Sequence, residues 1–301
     1  MGVTAIILAL LLEQWRPLGD RRAVTHALSA WAEWLERSFN AGEAHHGRIA
    51  WLIAVLLPVV AAGLLYWGVA HVSPAGALLL NVAALYLTLG FRQFSHFFTD
   101  IQKALREGEI DRARELIGAW RREPAAHRSR EEVIRLAIEE ALAASHRHVF
   151  AVLLWFMVLP GPTGAILYRL AAFVQNRWGG RGAFGGFAGR MLALMEWPAV
   201  RLTAVSFAIV GDFEDAIYCW RTQAAAWADR NLGIVLAAGA GAIGVRLGMP
   251  LTELEGLQPR PELGLGDPAD EAFLDSTVGL VWRAVVVWIV LILALSLARI
   301  F

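Results

Sequence analysis

Two glutamates and a short basic stretch stand just before an apolar segment, where they could act as an acid–base pair. Glu139 and Glu140 are followed by Ser145, His146 and Arg147, and the apolar segment begins at residue 149. On one helix this spacing places Glu139 near His146 and Glu140 near Arg147. Such a pair could transfer protons, and the same acids and imidazoles could also bind a metal ion. The alternative is a solvated helix end with no chemical role.

A second polar set contains Arg92, His96 and Asp100, spaced four residues apart. This spacing predicts one helical face, directly after an apolar segment. Polar groups at such a position are often functional because burying them without partners is costly. Arg92 and His96 are therefore candidates for binding a phosphate or other ligand. The alternative is an interfacial helix in which the three side chains satisfy one another.

Three acids and an arginine flank a short apolar stretch in the second half of the chain. Arg201 stands near one edge, and Asp212, Glu214 and Asp215 stand at the other. Asp212 and Asp215 are candidate Mg²⁺ ligands if phosphates supply further oxygens. The alternative is that these acids mark the end of a helix at the membrane interface.

Glycines at residues 239, 241 and 244 form a GxGxxG pattern directly before Arg246. No βαβ unit surrounds the pattern, so it is only weak support for a dinucleotide-binding turn. In an apolar segment, small residues at this spacing let helices pack closely, either within the chain or against a second copy in a homo-oligomer. Arg246 is a candidate phosphate ligand because a cation beside a glycine-rich break can bind an anion.

The composition identifies lipid as the main solvent of these segments. Of 301 residues, 57% are hydrophobic, 18% are charged and 13 are Trp, a larger apolar share than in soluble domains. The 27 basic residues balance 27 acidic residues, which gives no basic surface for nucleic acid. Cys219 has no partner for a disulfide, and CxxC and HExxH metal motifs are absent from the sequence.

Apolar runs of suitable length predict several membrane segments. We expect spans at residues 49–72, 74–89 and 281–301, a span or re-entrant pair at 149–173, and embedded or re-entrant segments at 197–210 and 233–245. The N-terminal apolar stretch predicts an embedded half-helix. Residues 92–147 predict two amphipathic helices joined around residues 123–124, with 103–147 cytoplasmic by the positive-inside rule. Residues 179–189 predict a flexible connector, and residues 252–272 predict an extended loop.

These elements predict an all-α, polytopic α-helical integral membrane protein with an amphipathic cytoplasmic helical region. We expect a single membrane domain with five consecutive parts. They are N-terminal membrane segments (1–91), a polar helical region (92–148), central membrane and re-entrant segments (149–250), a loop (251–280) and a C-terminal span (281–301).

Four motifs in order make the chain resemble the CobD/CbiB cobalamin-biosynthesis membrane proteins. They are LREGEIDRAR (105–114), AVRLTA (199–204), AGAIGVRLG (240–248) and LGLGDP (263–268). The resemblance covers nearly the whole chain and implies a multi-pass protein of the bacterial inner (plasma) membrane. The implied activity is the ATP-dependent attachment of aminopropanol or its phosphate to adenosylcobyric acid, with ATP and Mg²⁺ as cofactors and a corrinoid as ligand.

We compared the chain with a family motif of the type ETVAENTVD. The first acid of this motif is kept as Glu139. Later acids and amides of that motif are replaced by Ala143, Ala144 and Arg147, and a second motif at residues 168–176 lacks its Asn and Asp. If the chain is a synthase, the resemblance makes Glu139, His146 and Arg147 its catalytic candidates. The replaced acids predict reduced or lost activity. The alternative is a non-catalytic membrane signalling modulator or ligand-binding protein similar to AmpE, a membrane protein of the same superfamily that is linked to β-lactamase regulation.

Overall fold

The computed structural model of the protein describes residues 2–15, 22–40, 42–253 and 256–298. The predicted fold class is confirmed: the protein is an all-α polytopic membrane protein with a small sheet. Within the described residues, four helices are long and apolar enough to cross a membrane. They are Ala44–Val72, Arg130–Val158, Gly182–Val210 and Glu271–Ser296.

The helices follow one another with short connections. In chain order they are α1 (Gly2–Trp15), α2 (Arg22–Phe39), α3 (Ala44–Trp51), α4 (Leu57–Val72), α5 (Pro74–Thr88), α6 (Phe91–Arg106), α7 (Ile110–Arg121), α8 (Arg130–Ser145), α9 (Ala151–Val158), α10 (Thr163–Trp178), α11 (Gly182–Val210), α12 (Phe213–Gln223), α13 (Arg230–Ile243) and α14 (Glu271–Ala298). Turns of π-helix at Leu52–Leu56 and His146–Phe150 continue α3 into α4 and α8 into α9.

The chain forms two compact units. The first unit consists of Met1–Gly90 and Ala151–Pro198, and the second consists of Phe91–Phe150 and Ala199–Phe301.

In the first unit, helices approach one another at glycines. A Cβ at Gly164 would lie 1.8 Å from the carbonyl oxygen of Trp155, so α10 can approach α9 only because this position has no side chain. Ion pairs join Glu33 of α2 to Arg177 and Glu36 of α2 to Arg181 beyond α10. Exposed leucine, valine and tryptophan side chains on α4 present an apolar surface to lipid.

The second unit is built around α8, in which nearly every residue from Glu132 to Ser145 is buried. The helix begins at a capping box: the Ser129 hydroxyl accepts a hydrogen bond from the Glu132 amide, and the Glu132 carboxylate accepts one from the Ser129 amide. In α13, a Cβ at Gly239 would lie 2.8 Å from Leu142, and one at Gly241 would lie 2.5 Å from the carbonyl oxygen of Asp215. The expectation that these glycines permit close helix packing is confirmed within the chain.

Short strands follow α13 in the second unit. They are β1 (Val245–Gly248), β2 (Leu251–Glu253), β3 (Gly256–Gln258), β4 (Glu262–Leu263) and β5 (Asp267–Pro268). Strand β1 pairs with β4 in antiparallel and β5 in parallel orientation, while β2 and β3 form an antiparallel pair. The expectation of an extended loop over residues 252–272 was therefore too simple. The strands are two to four residues long, too short for a clear alternation of apolar and polar residues.

Three further expectations differ from the structure. The flexible connector predicted at 179–189 is wrong, because α11 begins at Gly182 and Phe184 is buried against Trp178 with ring centroids 5.0 Å apart. The segment 197–210 is the second half of this 29-residue helix rather than a short element. Residues 92–147 contain three helices, namely nearly all of α6 and the whole of α7 and α8, instead of two, since the chain turns at Gly108 with a φ of +79°.

The close approach at Gly241 predicts a large effect of a small substitution. We expect Gly241→Ala to destabilise the protein by about 1–3 kcal/mol, because the added methyl group must displace backbone of α12. Thermal unfolding of the purified protein in mild detergent measures this effect. The matched control is Gly279→Ala in α14, where an added Cβ meets no atom within 4 Å. Equal melting temperatures for the two variants would contradict the packing role of Gly241.

Candidate functional site

A cavity of about 510 Å³ lies within the second unit, beside α7, α8 and α13. This volume is in the range of pockets that bind small molecules. Its wall combines three arginines, three glutamates and two tryptophans with apolar and small residues. The lining residues are Trp120, Arg121, Glu123, Glu139, Glu140, Ala143, Arg147, Trp227, Ala228, Leu232, Leu236, Leu251, Pro259, Arg260 and Pro261.

The most buried charges of the cavity are Glu139 of α8 and Arg260 of the loop between β3 and β4. Arg260 Nη2 donates to Glu139 Oε2 at 2.5 Å, and the Gly248 amide donates to Glu139 Oε1 at 2.9 Å. The two side chains are 3% and 12% exposed. The guanidinium also stacks over the Trp227 ring, 4.7 Å from its centroid. Burial of an unpaired charge is costly. Here the carboxylate of Glu139 and the guanidinium of Arg260 neutralise each other, and both carboxylate oxygens accept hydrogen bonds.

A turn after β1 brings Arg260 to this position. Gly248 has a φ of +70°, and a Cβ there would lie 2.0 Å from the carbonyl oxygen of Pro261. The Met249 amide donates to the same carbonyl at 3.1 Å. The turn therefore requires glycine, and it holds the Pro259–Arg260–Pro261 segment against β1.

The remaining charges of the cavity come from α7, α8 and the turn between them. Arg121 lies 3.2 Å from a Glu123 carboxylate oxygen and 3.8 Å from a Glu140 carboxylate oxygen. Arg147 is half-buried and makes no hydrogen bond or ion pair with another described residue. Arg260 Nη1 is buried and likewise lacks a hydrogen-bond partner among the described residues. These two guanidinium groups retain donors for an anionic ligand such as a phosphate.

The structure brings some of the predicted site residues together and separates others. Glu139, Glu140 and Arg147 line the same cavity. His146 does not contact Glu139: its Nδ1 lies 2.9 Å from the Thr203 hydroxyl, and the ring is buried in the second unit. The predicted Glu139–His146 pair therefore does not form, because the two side chains are buried by different partners.

The predicted metal ligands Asp212 and Asp215 lie at the start of α12. Asp212 is the N-cap of this helix, and its Oδ1 accepts a hydrogen bond from the Asp215 amide at 3.0 Å. This corresponds to the alternative of a helix end. Neither acid lines the cavity or belongs to a group of three metal-ligating side chains within the described residues.

Three of the predicted phosphate ligands, Arg246, Arg201 and His96, lie outside the cavity wall. Arg246 in β1 is 3.8 Å from the carboxylate of Glu262, and Arg201 is half-exposed on α11. His96 is exposed on α6, while the side chain of Arg92 lies outside the described residues.

Sequence reasoning missed Arg260 and Trp227 because each lies far in sequence from Glu139. The available signal was an arginine between two prolines, Pro259 and Pro261, whose restricted backbone can hold a side chain in one place.

Comparisons with known proteins agree with the resemblance. A family model described as CobD/Cbib protein matches residues 6–297. The cobalamin biosynthesis protein CobD of Stutzerimonas stutzeri is 35% identical over 297 residues, which cover 96% of this chain and 96% of the relative. The protein of the same name from Chromobacterium violaceum is 35% identical over 83% of this chain and 81% of its own length. The one from Mycobacterium tuberculosis is 29% identical over 73% of each chain. No solved structure gave a significant match.

The buried ion pair predicts that Arg260 contributes strongly to stability. We expect Arg260→Met to destabilise the second unit by about 3–5 kcal/mol, because it leaves the Glu139 carboxylate buried without its counter-charge. The double variant Glu139→Gln/Arg260→Met should be more stable than the sum of the single effects predicts. Thermal unfolding in detergent measures both quantities. Arg112→Met, at an exposed pair with Glu109, is the matched control and should change little; strictly additive effects would contradict the pairing.

Cys219 of α12 reports on the packing beside Asp215. Burial, and then the negative charge of Asp215, raise the pKa of this thiol to about 11. At pH 8 about one thiol in a thousand is therefore ionised, and we expect alkylation by a small maleimide to be slow in the folded protein. Asp215→Asn should lower the pKa and speed the reaction. Since Cys219 is the single cysteine of the chain, total label measures it directly. Equal rates in folded and denatured protein would contradict the buried position.

Proposed function

Because the chain belongs to the CobD/CbiB family, we propose that it acts in cobalamin biosynthesis as a multi-pass protein of a bacterial inner membrane. The proposed reaction is the ATP-dependent attachment of aminopropanol or its phosphate to the carboxylate of adenosylcobyric acid. The observation that carries this proposal is the cavity around Glu139 and Arg260, where charged groups able to bind phosphates lie beside aromatic rings.

The chemistry of amide formation sets what such a cavity must do. A carboxylate is a poor acceptor for an amine until phosphoryl transfer activates it, so the site must bind phosphates and keep water away. Arg147 and Arg260 retain unused donors for phosphate oxygens. Trp227 and Trp120 also line the cavity, and the ring surface left uncovered by Arg260 and Phe97 could contact a planar ligand group such as a nucleotide base or part of a corrinoid.

The cavity carboxylates fit a Mg²⁺ ion that arrives with a nucleotide. Mg²⁺ commonly binds through one or two carboxylates together with substrate phosphates. Glu123 and Glu140, which now lie 3.2 and 3.8 Å from Arg121, would supply that number. Bound Mg²⁺ and ATP would supply the phosphoryl group and neutralise its charge. Both oxygens of Glu139 already accept hydrogen bonds, so we assign Glu139 to positioning: it holds Arg260 at the cavity and fixes the Gly248 turn.

An alternative is a non-catalytic ligand-binding protein or signalling modulator of the AmpE type. Two of the three positions at which an acid or amide of the family motif is replaced, Ala143 and Arg147, line the cavity. The replacement of acids by an alanine and an arginine favours binding an anion over holding a metal ion. On this view a corrinoid or another anionic ligand would bind without Mg²⁺, and synthase activity would be reduced or absent.

Complementation of a bacterium that lacks its own CobD/CbiB synthase, grown on added cobyric acid, tests the enzymatic proposal. We expect rescue by the natural chain and loss of rescue with Glu139→Gln. The substitution releases Arg260 from its position, which should reduce the rate by about 100-fold or more. Glu115→Gln, at an exposed glutamate on α7 outside the cavity, is the matched control and should rescue normally.

Failure of the natural chain to rescue, when immunoblots of the membrane fraction show it expressed and inserted, would overturn the synthase proposal. Corrinoid binding that is unaffected by a chelator would then favour the non-catalytic alternative.

A further inference from the structure

Two histidines and a glutamate gather at the start of α3 in the first unit. Glu43 Oε2 lies 3.0 Å from His45 Nδ1, and the imidazole rings of His45 and His46 have centroids 3.8 Å apart. One ligand atom from each of the three side chains lies within 4.8 Å of the others. Within the described residues, this is the group of three metal-ligating side chains that the fold brings together.

The backbone leaves the Glu43 carboxylate available for this contact. Glu43 is the N-cap of α3 with an extended conformation, yet its side chain makes no capping hydrogen bond. The preceding turn is fixed by a hydrogen bond from the Gly42 amide to Asn40 Oδ1 at 3.1 Å. The carboxylate therefore turns to His45 instead of to the helix amides that an N-cap normally satisfies.

His46 has an unsatisfied nitrogen at the same place. Its Nδ1 is buried and has no hydrogen-bond partner among the described residues. Buried polar atoms are rarely left without a partner, and a bound ion is one of the recognised explanations for such an atom. An imidazole nitrogen is also among the commonest metal ligands in proteins.

The helix that carries the histidines is held firmly. A Cβ at Gly47 would lie 2.1 Å from the carbonyl oxygen of Phe184, so this turn of α3 is in close contact with its neighbour. Trp51 at the end of α3 packs edge-on against Phe187, with centroids 5.4 Å apart. Side chains on such a supported turn are suited to hold an ion, because the backbone does not need to reorganise.

We propose that Glu43, His45 and His46 bind a divalent transition-metal ion of the zinc class at this end of the Ala44–Val72 span. Two imidazoles and one carboxylate are a typical ligand set for zinc and for cobalt or nickel in the same oxidation state, whereas Mg²⁺ and Ca²⁺ prefer oxygen ligands alone. Glu43 and His45 are mostly exposed, so water completes the coordination.

The distances allow this ligand set with small movements. Ligand atoms about 2.0–2.1 Å from a tetrahedral ion are about 3.4 Å apart, close to the 3.0 Å that separates Glu43 Oε2 from His45 Nδ1. The ligand atom of His46 lies within 4.8 Å of the other two. A ligating imidazole nitrogen must be unprotonated, so metal binding releases to solvent any proton that this nitrogen carries.

Metal binding is tested with the full chain purified in mild detergent through a tag without histidines. Co²⁺ is titrated while its visible d–d absorption is recorded, and bound Zn²⁺ is counted by mass spectrometry after gel filtration. We expect one ion per chain. His45→Ala and His46→Ala should each weaken binding by at least about tenfold, since the loss of even an outer partner costs that much. Glu43→Gln should also weaken it.

The matched control is His127→Ala, at an exposed histidine of the second unit, and it should bind the ion as the natural chain does. Gel-filtration profiles and circular dichroism establish that each variant is folded. Equal stoichiometry and affinity in the His45→Ala/His46→Ala double variant and the control would overturn the proposal, as would the absence of Co²⁺ absorption in the natural chain. The measurement does not depend on synthase activity.

Discussion

The second unit depends on one buried ion pair, between Glu139 of α8 and Arg260 of the loop between β3 and β4. Neither charge is stable alone in a medium of low dielectric constant, so each requires the other and the hydrogen bonds that complete the set. The Gly248 amide and the face of Trp227 supply that completion. The pair thereby joins the central helix to a segment 121 residues away, and the cavity exists because these two elements meet there.

Close backbone contacts at glycine are the second constraint. In lipid, apolar side chains gain little by leaving the solvent, so helices associate through packing and small residues. Gly164, Gly241 and Gly248 each lie where a Cβ would overlap the backbone of a neighbour. The missing side chain of glycine explains both the turn that presents Arg260, at Gly248, and the contact of α13 with α12, at Gly241. A motif that resembles a nucleotide-binding turn, at residues 239–244, is thus a packing surface.

The cavity links the departures from the family pattern to chemistry. Ala143 and Arg147 both line it, so the replacements that the resemblance implies would alter the charge of the wall around Glu139. An arginine in place of an acid strengthens binding of phosphate and weakens binding of a metal ion. The two proposed functions differ in whether Mg²⁺ is needed. The charges of the cavity wall decide whether a Mg²⁺ ion can bind there.

The sequence by itself determined the fold class, the principal apolar helices and the part of the site that lies within one helix. Length and hydropathy are local properties, and Glu139, Glu140 and Arg147 are near one another because a helix repeats every 3.6 residues. Only the tertiary structure decided that Arg260 and Trp227 complete the cavity and that His146 bonds to Thr203. It also decided that α11 begins at Gly182, within a glycine-rich segment. Those outcomes depend on contacts between distant segments, and the spacing of residues along a chain carries no information about which distant partner neutralises a buried charge.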